Sequence, residues 1–169
     1  MSTRSIFWFR RDLRLRDNPA LLAAIAESDE VIPVFIIDPQ VANRAGEFRR
    51  AYLAESLRAL DASLGGNLHA ISGEPVDVLK QLIKKYKATS VHVSSDYAPY
   101  GVARDLRVEG SGITLTKTGS GYAISPGQVL KADGSAYRVF TPYFKAWSAH
   151  GWRGPVEAPG PFDMPTPNS

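Results

Sequence analysis

Short, uninterrupted apolar runs alternate along this chain with segments of helical periodicity, and this alternation limits the folds open to it. The first two runs cover residues 6–9 and 31–37. Such runs are typical of strands that are buried on both faces of a parallel sheet. Between them, Asp17 or Asn18 can cap a helix with Pro19 in its first turn. The segment therefore predicts a strand–helix–strand unit.

The same unit recurs further along the chain. Helices are predicted over residues 48–64, from Pro75 onward and over about residues 100–108, and strands over residues 68–72, 90–94 and 113–117. This alternation predicts an α/β fold of the Rossmann-like, doubly wound type, with a five-stranded, mostly parallel sheet and flanking helices. No glycine-rich phosphate loop follows the first strand, which disfavours a generic nucleotide-binding protein.

The pattern changes after Gly121. Asp133-Gly134 is the strongest short signal for a tight turn, so residues 129–138 predict a C-terminal β-hairpin. Residues 140–150 predict an aromatic-rich helix. Five of the twelve prolines lie in the last fifteen residues, where a packed helix or a central strand would not accept them. We therefore expect a domain over residues 1–150 and a Pro/Gly-rich linker, cut short, over residues 151–169.

Composition excludes several classes of protein. The chain has 169 residues, of which 44% are hydrophobic and none is cysteine. A chain of this length can bury one stable core, and the lack of cysteine excludes disulfides, thiolate metal sites and cysteine nucleophiles. No apolar run approaches the roughly 18 residues that a membrane helix needs. We expect a cytoplasmic protein without a membrane partner.

Candidate binding residues lie where the predicted strands end, because ligands of open α/β sheets bind beyond the carboxyl ends of the strands. The loop after the first strand carries Arg10, Arg11, Arg14 and Arg16, and Asp38 and Asp96 follow the second and fourth strands. The arginines and aspartates of the loop can simply pair with each other at the surface. Alternatively, one or two guanidinium groups bind a flat anionic ligand. The two carboxylates either cap the next helix or accept hydrogen bonds from that ligand, and Phe35 is either core or a pocket wall.

The histidines and aromatic residues indicate less about the function. The three histidines show no metal-ligand spacing, so no metal site is expected. The aromatic residues of the predicted last helix favour a packing surface, in this domain or against another one, over stacking on nucleic acid. The net charge of +3 is too small to indicate a polyanionic partner.

Four segments carry a resemblance to a known family. They are FWFRRDLRLRDNPAL at residues 7–21, VFIIDP at 34–39, DYAPYGVARD at 96–105 and YRVFTPYFKAW at 137–147. In this order they resemble the DNA photolyase and cryptochrome family. The resemblance covers residues 6–147, nearly the whole chain.

The resemblance implies the N-terminal light-harvesting domain of a deoxyribodipyrimidine photolyase. Such a domain passes excitation energy to FAD in a C-terminal helical domain, which repairs pyrimidine dimers in DNA. The helical domain is then the partner, DNA is contacted only through the parent protein, and this chain alone carries no catalytic residue and is inactive. The alternative is a non-catalytic docking module of a cryptochrome-like photoreceptor, with a vestigial chromophore pocket.

The resemblance also implies a pocket for the antenna chromophore. Its expected residues are Arg11, Phe35, Asp38, Ala45, Arg49, Asp96 and Ala98. The motif at residues 96–101 is closer to that of deazaflavin-type members than to that of folate binders, so a deazaflavin or a flavin is expected and folate is disfavoured. Ala98 departs from the deazaflavin pattern, which has a glutamate there, and so removes one hydrogen-bond acceptor.

Overall fold

A computed structural model describes residues 2–165 and shows one five-stranded sheet. The strands are β1 (Arg4–Phe9), β2 (Glu30–Ile37), β3 (His69–Ser72), β4 (Ser90–Ser95) and β5 (Leu115–Ser120). Their order across the sheet is β3-β2-β1-β4-β5, and each neighbouring pair is parallel. The predicted fold class is confirmed, and the sheet is parallel throughout.

Six helices accompany the sheet in the described residues. They are α1 (Pro19–Glu27), α2 (Pro39–Ala42), α3 (Glu47–Ser63), α4 (Pro75–Tyr86), α5 (Pro99–Gly110) and α6 (Phe140–His150). Proline opens four of them, where its missing N–H costs nothing. Of the two candidate caps of α1, Asn18 is the one used: its Oδ1 accepts a hydrogen bond of 3.2 Å from Leu21 N. The single turn α2 was not predicted, and it forms because Asp38 caps Gln40 N at 2.9 Å.

The two faces of the sheet have separate cores because successive side chains of a strand point to opposite sides. Ile6 and Trp8 of β1 pack on the face covered by α4 and α5. Phe7 and Phe9 pack on the face covered by α1 and α3. All four side chains are buried, which explains why β1 reads as a continuous apolar run.

The strand order places a crevice at one edge of the sheet. From β1 the chain adds β2 and β3 on one side and then β4 and β5 on the other. The loops that follow β1 and β4 therefore leave the sheet in opposite directions, and the space between them is the usual ligand site of this architecture.

The predicted β-hairpin is wrong. Asp133-Gly134 does form a turn, in which Gly134 N donates to Lys131 O at 2.9 Å, but residues 121–139 contain no strand. Most of these residues are exposed, and a two-stranded hairpin with nothing packed on its face is only marginally stable. The helix α6 occupies the range predicted for it.

The C-terminal tail lies against the domain although residues 151–165 form neither helix nor strand. Val156 O accepts from Asp17 N at 3.0 Å, and Asp163 O accepts from Val31 N at 2.9 Å. Phe162 packs on the α1 and α3 core. The remainder of the expected linker, residues 166–169, lies outside the described residues, as does Met1 of the expected domain.

Among the described residues, no helix has both the length and the apolar character needed to cross a membrane.

Candidate functional site

A cleft of about 230 Å³ lies at the carboxyl edge of the sheet, at the crevice between β1 and β4. The arginine loop after β1 forms one wall, and residues 94–96 at the end of β4 form another. Tyr122, two residues after β5, closes the third side. The cleft thus lies between the loops after β1 and β4, which the sequence analysis identified as candidate binding loops.

Arg11 and Asp96 face each other in this cleft. Arg11 Nε lies 3.7 Å from Asp96 Oδ2, and the Arg11 side chain is 71% exposed whereas that of Asp96 is 8% exposed. Ala98 N donates to Asp96 Oδ1 at 3.0 Å, and Arg104 Nη2 lies 3.5 Å from Oδ2. A buried carboxylate held by the protein therefore stands beside a cation whose donors remain open to a ligand.

Of the two roles expected for Asp38, the structure shows the helix cap. Its Oδ1 caps α2, while its Oδ2 accepts a hydrogen bond from the Tyr100 hydroxyl. Burial and this hydrogen bond raise the pKa of Tyr100, so the hydroxyl stays protonated and continues to donate. Tyr100 belongs to α5, which follows Ala98, so Asp38 is connected to the loop that contains Asp96.

The remaining expected residues are placed differently. Phe35 is 8% exposed and lies in the core between the sheet and α3. Of the two alternatives for Phe35, core or pocket wall, the structure shows the core. Ala45 lies in the turn after α2, with its N–H donating to Ala42 O at 3.1 Å. Arg49 is exposed near the start of α3 and has no ion pair within residues 2–165. No hydrogen bond or ion pair in the described chain joins these three residues to Arg11 or Asp96.

A second cleft, of about 500 Å³, lies on the other side of the arginine loop. Its walls are residues 11–15 and the exposed side of α3 around Tyr52 and Ser56. Arg11 lines both clefts. A ligand larger than the first cleft can therefore extend past Arg11 toward α3.

A buried charged cluster beneath the first cleft was missed from the sequence. Arg10 Nη1 lies 2.5 Å from Asp105 Oδ1, and Arg104 Nε and Nη2 lie 3.1 Å and 3.0 Å from the same oxygen. Both guanidinium groups lie over the Trp8 ring, at 5.2 Å and 4.9 Å from its centroid. Burial and the charge of Arg104 lower the pKa of Arg10. The available signal was spacing, because Arg104 and Asp105 share the buried stripe of α5 with Gly101 and Val108.

Tyr122 was also missed, since nothing in the local sequence marks it as a pocket residue. It is 49% exposed, and its ring meets that of Tyr97 edge to face at a centroid distance of 6.1 Å. Together with Arg11 and Asp96 it gives the cleft an aromatic surface, an open cation and an acceptor. These groups fit a flat ring system with anionic or carbonyl edges.

No group of three or more histidine, aspartate or glutamate side chains within residues 2–165 is arranged to hold a metal ion.

Comparison with known proteins identifies relatives of the whole chain. Residues 5–163 match the family described as DNA photolyase. The chain is 35% identical over 168 residues to a deoxyribodipyrimidine photo-lyase of a Synechococcus species, which covers 94% of this chain and 35% of that protein. It is 36% identical over 176 residues to the Streptomyces griseus enzyme of the same name, with 95% and 38% covered. The chain thus spans little more than a third of the length of these relatives.

Solved structures show the same relationship. A bacterial class III photolyase from Agrobacterium tumefaciens has a TM-score of 0.85 and 32% identity, over 98% of this chain and 36% of that one. An archaeal photolyase from Sulfolobus tokodaii, described as containing two FAD molecules and implying a novel light-harvesting cofactor, has a TM-score of 0.79 and 30% identity, over 96% and 39%.

Proposed function

Because this chain belongs to the DNA photolyase family and matches its N-terminal α/β domain, we propose that it binds a light-harvesting chromophore. In the proposed function, the chromophore passes its excitation energy to FAD in a helical domain, for light-driven repair of pyrimidine dimers in DNA. The bound chromophore supplies absorption of visible light. The protein's task is to hold it rigidly, since energy transfer depends on distance and orientation.

The pairing of exposed Arg11 with buried Asp96 is the observation that carries this proposal. The two side chains differ in exposure by more than eightfold, 71% against 8%, at a separation of 3.7 Å. Asp96 is already held by Ala98 N and Arg104, so the contact with Arg11 is not needed to satisfy it. Arg11 therefore retains donors for an anionic or carbonyl edge of a ligand.

Flavin and deazaflavin are the proposed chromophores. Both present a flat ring with carbonyl edges, which suits the guanidinium of Arg11, the carboxylate of Asp96 and the ring of Tyr122. The light-harvesting cofactor implied for the Sulfolobus tokodaii photolyase supports a flavin in this role. Asp38 would accept from a hydroxyl or ring N–H. Ala45 and Arg49 would complete the pocket from the side of α3, with Phe35 contributing from the core. Ala98 would leave the pocket without the acceptor that a glutamate supplies, since its N–H and C=O already bond to Asp96 Oδ1 and Val102 N.

Binding is tested by titrating the purified chain with FMN, FAD and a deazaflavin while recording absorption and fluorescence. Arg11→Ala should weaken binding about tenfold, the effect of losing one charge-assisted hydrogen bond of roughly 1.4 kcal/mol. Arg58→Ala is the matched control, because Arg58 is 70% exposed, pairs with Glu55 and lines neither cleft. The proposal fails if none of the three chromophores binds, or if Arg58→Ala weakens binding as much as Arg11→Ala.

Energy transfer is tested in a longer protein that contains both this chain and a FAD domain. Its action spectrum for pyrimidine-dimer repair should contain the absorption band of the bound chromophore. Arg11→Ala should remove that band while leaving repair driven by direct FAD absorption. An action spectrum that follows FAD alone in the unmodified protein argues against an antenna role.

A second candidate function is docking of a helical domain by α6, with a vestigial chromophore pocket. None of the residues of α6 is buried, and Phe140 and Phe144 are 74% and 50% exposed. The rings of Phe144, Trp147 and Trp152 form a stack, with successive centroid distances of 6.3 Å and 4.8 Å. Chromophore-free chain should then bind a separately expressed helical FAD domain, and Phe144→Ser should weaken that complex. Docking without any chromophore binding favours this second function over the first.

A further inference from the structure

The helix α5 contacts both carboxylates that the proposed chromophore would meet. Asp38 follows β2 and Asp96 follows β4, and these strands lie on either side of β1. Tyr100 and Gly101, in the first turn of α5, contact the former and the latter respectively. We infer that α5 positions Asp38 and Asp96, so that Tyr100, Gly101 and Arg104 are positioning residues for the chromophore; this inference rests on the proposed function.

Gly101 makes the closest of these contacts. A Cβ added there would lie 2.2 Å from both Cγ and Oδ2 of Asp96 and 2.8 Å from its Cβ. Real Cβ atoms do not approach other heavy atoms so closely, so any larger residue at position 101 displaces the Asp96 side chain. The backbone of Gly101 lies outside the left-handed region, so its conformation does not require glycine. Because glycine is a poor helix former, the space taken by Asp96 is the physical reason for it here.

Arg104 holds the same carboxylate from the buried side. Its Nη2 lies 3.5 Å from Asp96 Oδ2 and 3.0 Å from Asp105 Oδ1. The guanidinium is further fixed over Trp8. Asp96 Oδ2 therefore lies between a rigid buried cation and the exposed Arg11. If Asp96 is displaced from Arg104, it can turn toward Arg11 and neutralise the cation that the ligand needs.

Tyr100 holds the other carboxylate, that of Asp38 after β2. Its hydroxyl donates to Asp38 Oδ2, while Asp38 Oδ1 is engaged by the cap of α2. With both oxygens engaged, the carboxylate has one preferred orientation. A shift of α5 would thus move the acceptors on both sides of β1 together.

The test compares Gly101→Ala with Gly110→Ala by titration with FMN and with a deazaflavin. Both glycines belong to α5, but a Cβ at Gly110 meets no atom of the described part of the chain within 4 Å. Gly101→Ala should weaken binding about tenfold, comparable with the loss of a charged hydrogen bond. Gly110→Ala should leave affinity unchanged. Tyr100→Phe, which removes only the hydroxyl, should weaken binding severalfold and shift the absorption maximum of the bound chromophore.

A double-variant cycle separates positioning from general loss of structure. If Gly101 acts through Asp96, then Gly101→Ala should have no further effect on affinity in an Asp96→Gly background, which removes the three atoms that lie nearest to the new Cβ. Additive effects overturn the inference, as does equal behaviour of Gly101→Ala and Gly110→Ala.

Crystal structures of the ligand-free chain and of Gly101→Ala keep the two proposals distinguishable. The variant should show the Asp96 carboxylate moved away from Arg104. Failure of the unmodified chain to bind either chromophore overturns the proposed function, and the crystal comparison then decides the positioning by itself. An unmoved Asp96 carboxylate in the Gly101→Ala variant overturns the inference whether or not a chromophore binds.

Discussion

Arg10 Nη1 lies 2.5 Å from Asp105 Oδ1 beneath the cleft, and the two side chains are only 6% and 3% exposed. Removing one member of a buried ion pair leaves the other as an uncompensated charge, at a typical cost of roughly 3–5 kcal/mol. Here Arg104 shares the same carboxylate oxygen and would compensate in part. The pair therefore connects the arginine loop to α5 and stabilises the floor of the site.

Arg10→Met should lower the free energy of unfolding by about 3 kcal/mol, at the lower end of this range because Arg104 remains. Methionine keeps much of the packing against Trp8 while removing the charge. The measurement is urea denaturation followed by tryptophan fluorescence. Arg58→Met, which alters an exposed pair on α3, should change stability by less than about 0.5 kcal/mol. If Arg10→Met lowers the free energy of unfolding by less than about 1 kcal/mol, the buried pair contributes little to stability.

The neighbours Arg10 and Arg11 show how far the site could be predicted from the sequence. The strand ends located Arg11, Asp38 and Asp96 correctly at one edge, because that follows from the topology of a parallel sheet. Sequence alone did not reveal which arginine points inward, yet Arg10 is 6% exposed and Arg11 is 71% exposed. That difference depends on α5, whose Asp105 draws Arg10 into the interior.

The fold could be predicted from the sequence where strands are buried on both faces. The prediction failed where residues are exposed. The central strands β1, β2 and β4 have fully or nearly fully buried residues throughout their middle, so their apolar runs are unambiguous. The edge strand β5 has only one buried residue, and its predicted range began two residues early. Asp133-Gly134 predicted a turn correctly but not the hairpin, since a turn signal does not supply a surface for the strands to cover.

Stability should fall on mild acidification because of His92. This side chain is 0% exposed, its Nε2 lies 3.1 Å from Ser90 Oγ, and its Nδ1 has no hydrogen-bond partner among residues 2–165. Burial lowers the pKa of His92, and the nearby Glu27 offsets this only in part. The unfolded chain therefore takes up a proton near pH 6.5, before the native state does, so the free energy of unfolding decreases as pH falls below about 6.5. His69, whose pKa is lowered by burial and by Lys85, contributes in the same direction.

Denaturant unfolding between pH 7.5 and pH 5 measures this effect. Each unprotonated native histidine should add a slope of up to about 1.4 kcal/mol per pH unit below its unfolded pKa. His92→Gln should reduce the slope, and His150→Gln, at an exposed position of α6, is the control. A slope that is the same in all three proteins would exclude His92 as its source.

Asn18 connects α1 to the arginine loop and should matter for both stability and binding. Its Oδ1 caps Leu21 N at 3.2 Å, and its Nδ2 donates to Arg14 O at 3.0 Å. Asn18→Ala should cost about 1–2 kcal/mol, since it removes an N-cap from a buried position. Asn18→Ser restores a cap acceptor but reaches Arg14 less well, so it should recover most of the stability and less of the chromophore affinity. Equal stability of the two variants, measured by thermal unfolding, would contradict the capping role.

Detachment of the C-terminal tail should be measurable by tryptic cleavage at Arg153. Asp17 binds the tail through its Oδ1, which accepts from Arg153 Nη1 at 2.6 Å and from Val156 N at 3.2 Å. These hydrogen bonds lower the pKa of Asp17. Asp17 also has a left-handed backbone, with φ of 52°. Asp17→Asn keeps a residue that tolerates this conformation but removes the charge, so the tail should open more often and cleavage should accelerate.

Phe162→Ala should accelerate the same cleavage by a different route. It removes a partly buried ring from the α1 and α3 core, at a cost of about 1.5–2.5 kcal/mol, roughly half that of a fully buried phenylalanine. Because local opening exposes Arg153, the cleavage rate should rise about tenfold for a loss of 1.4 kcal/mol when reclosing is fast. Glu157→Ala is the control. That side chain is 87% exposed, and its ion pair with the similarly exposed Arg16 is long, at 3.8 Å. A rate that is unchanged in both Asp17→Asn and Phe162→Ala would mean that cleavage does not require the tail to leave the domain.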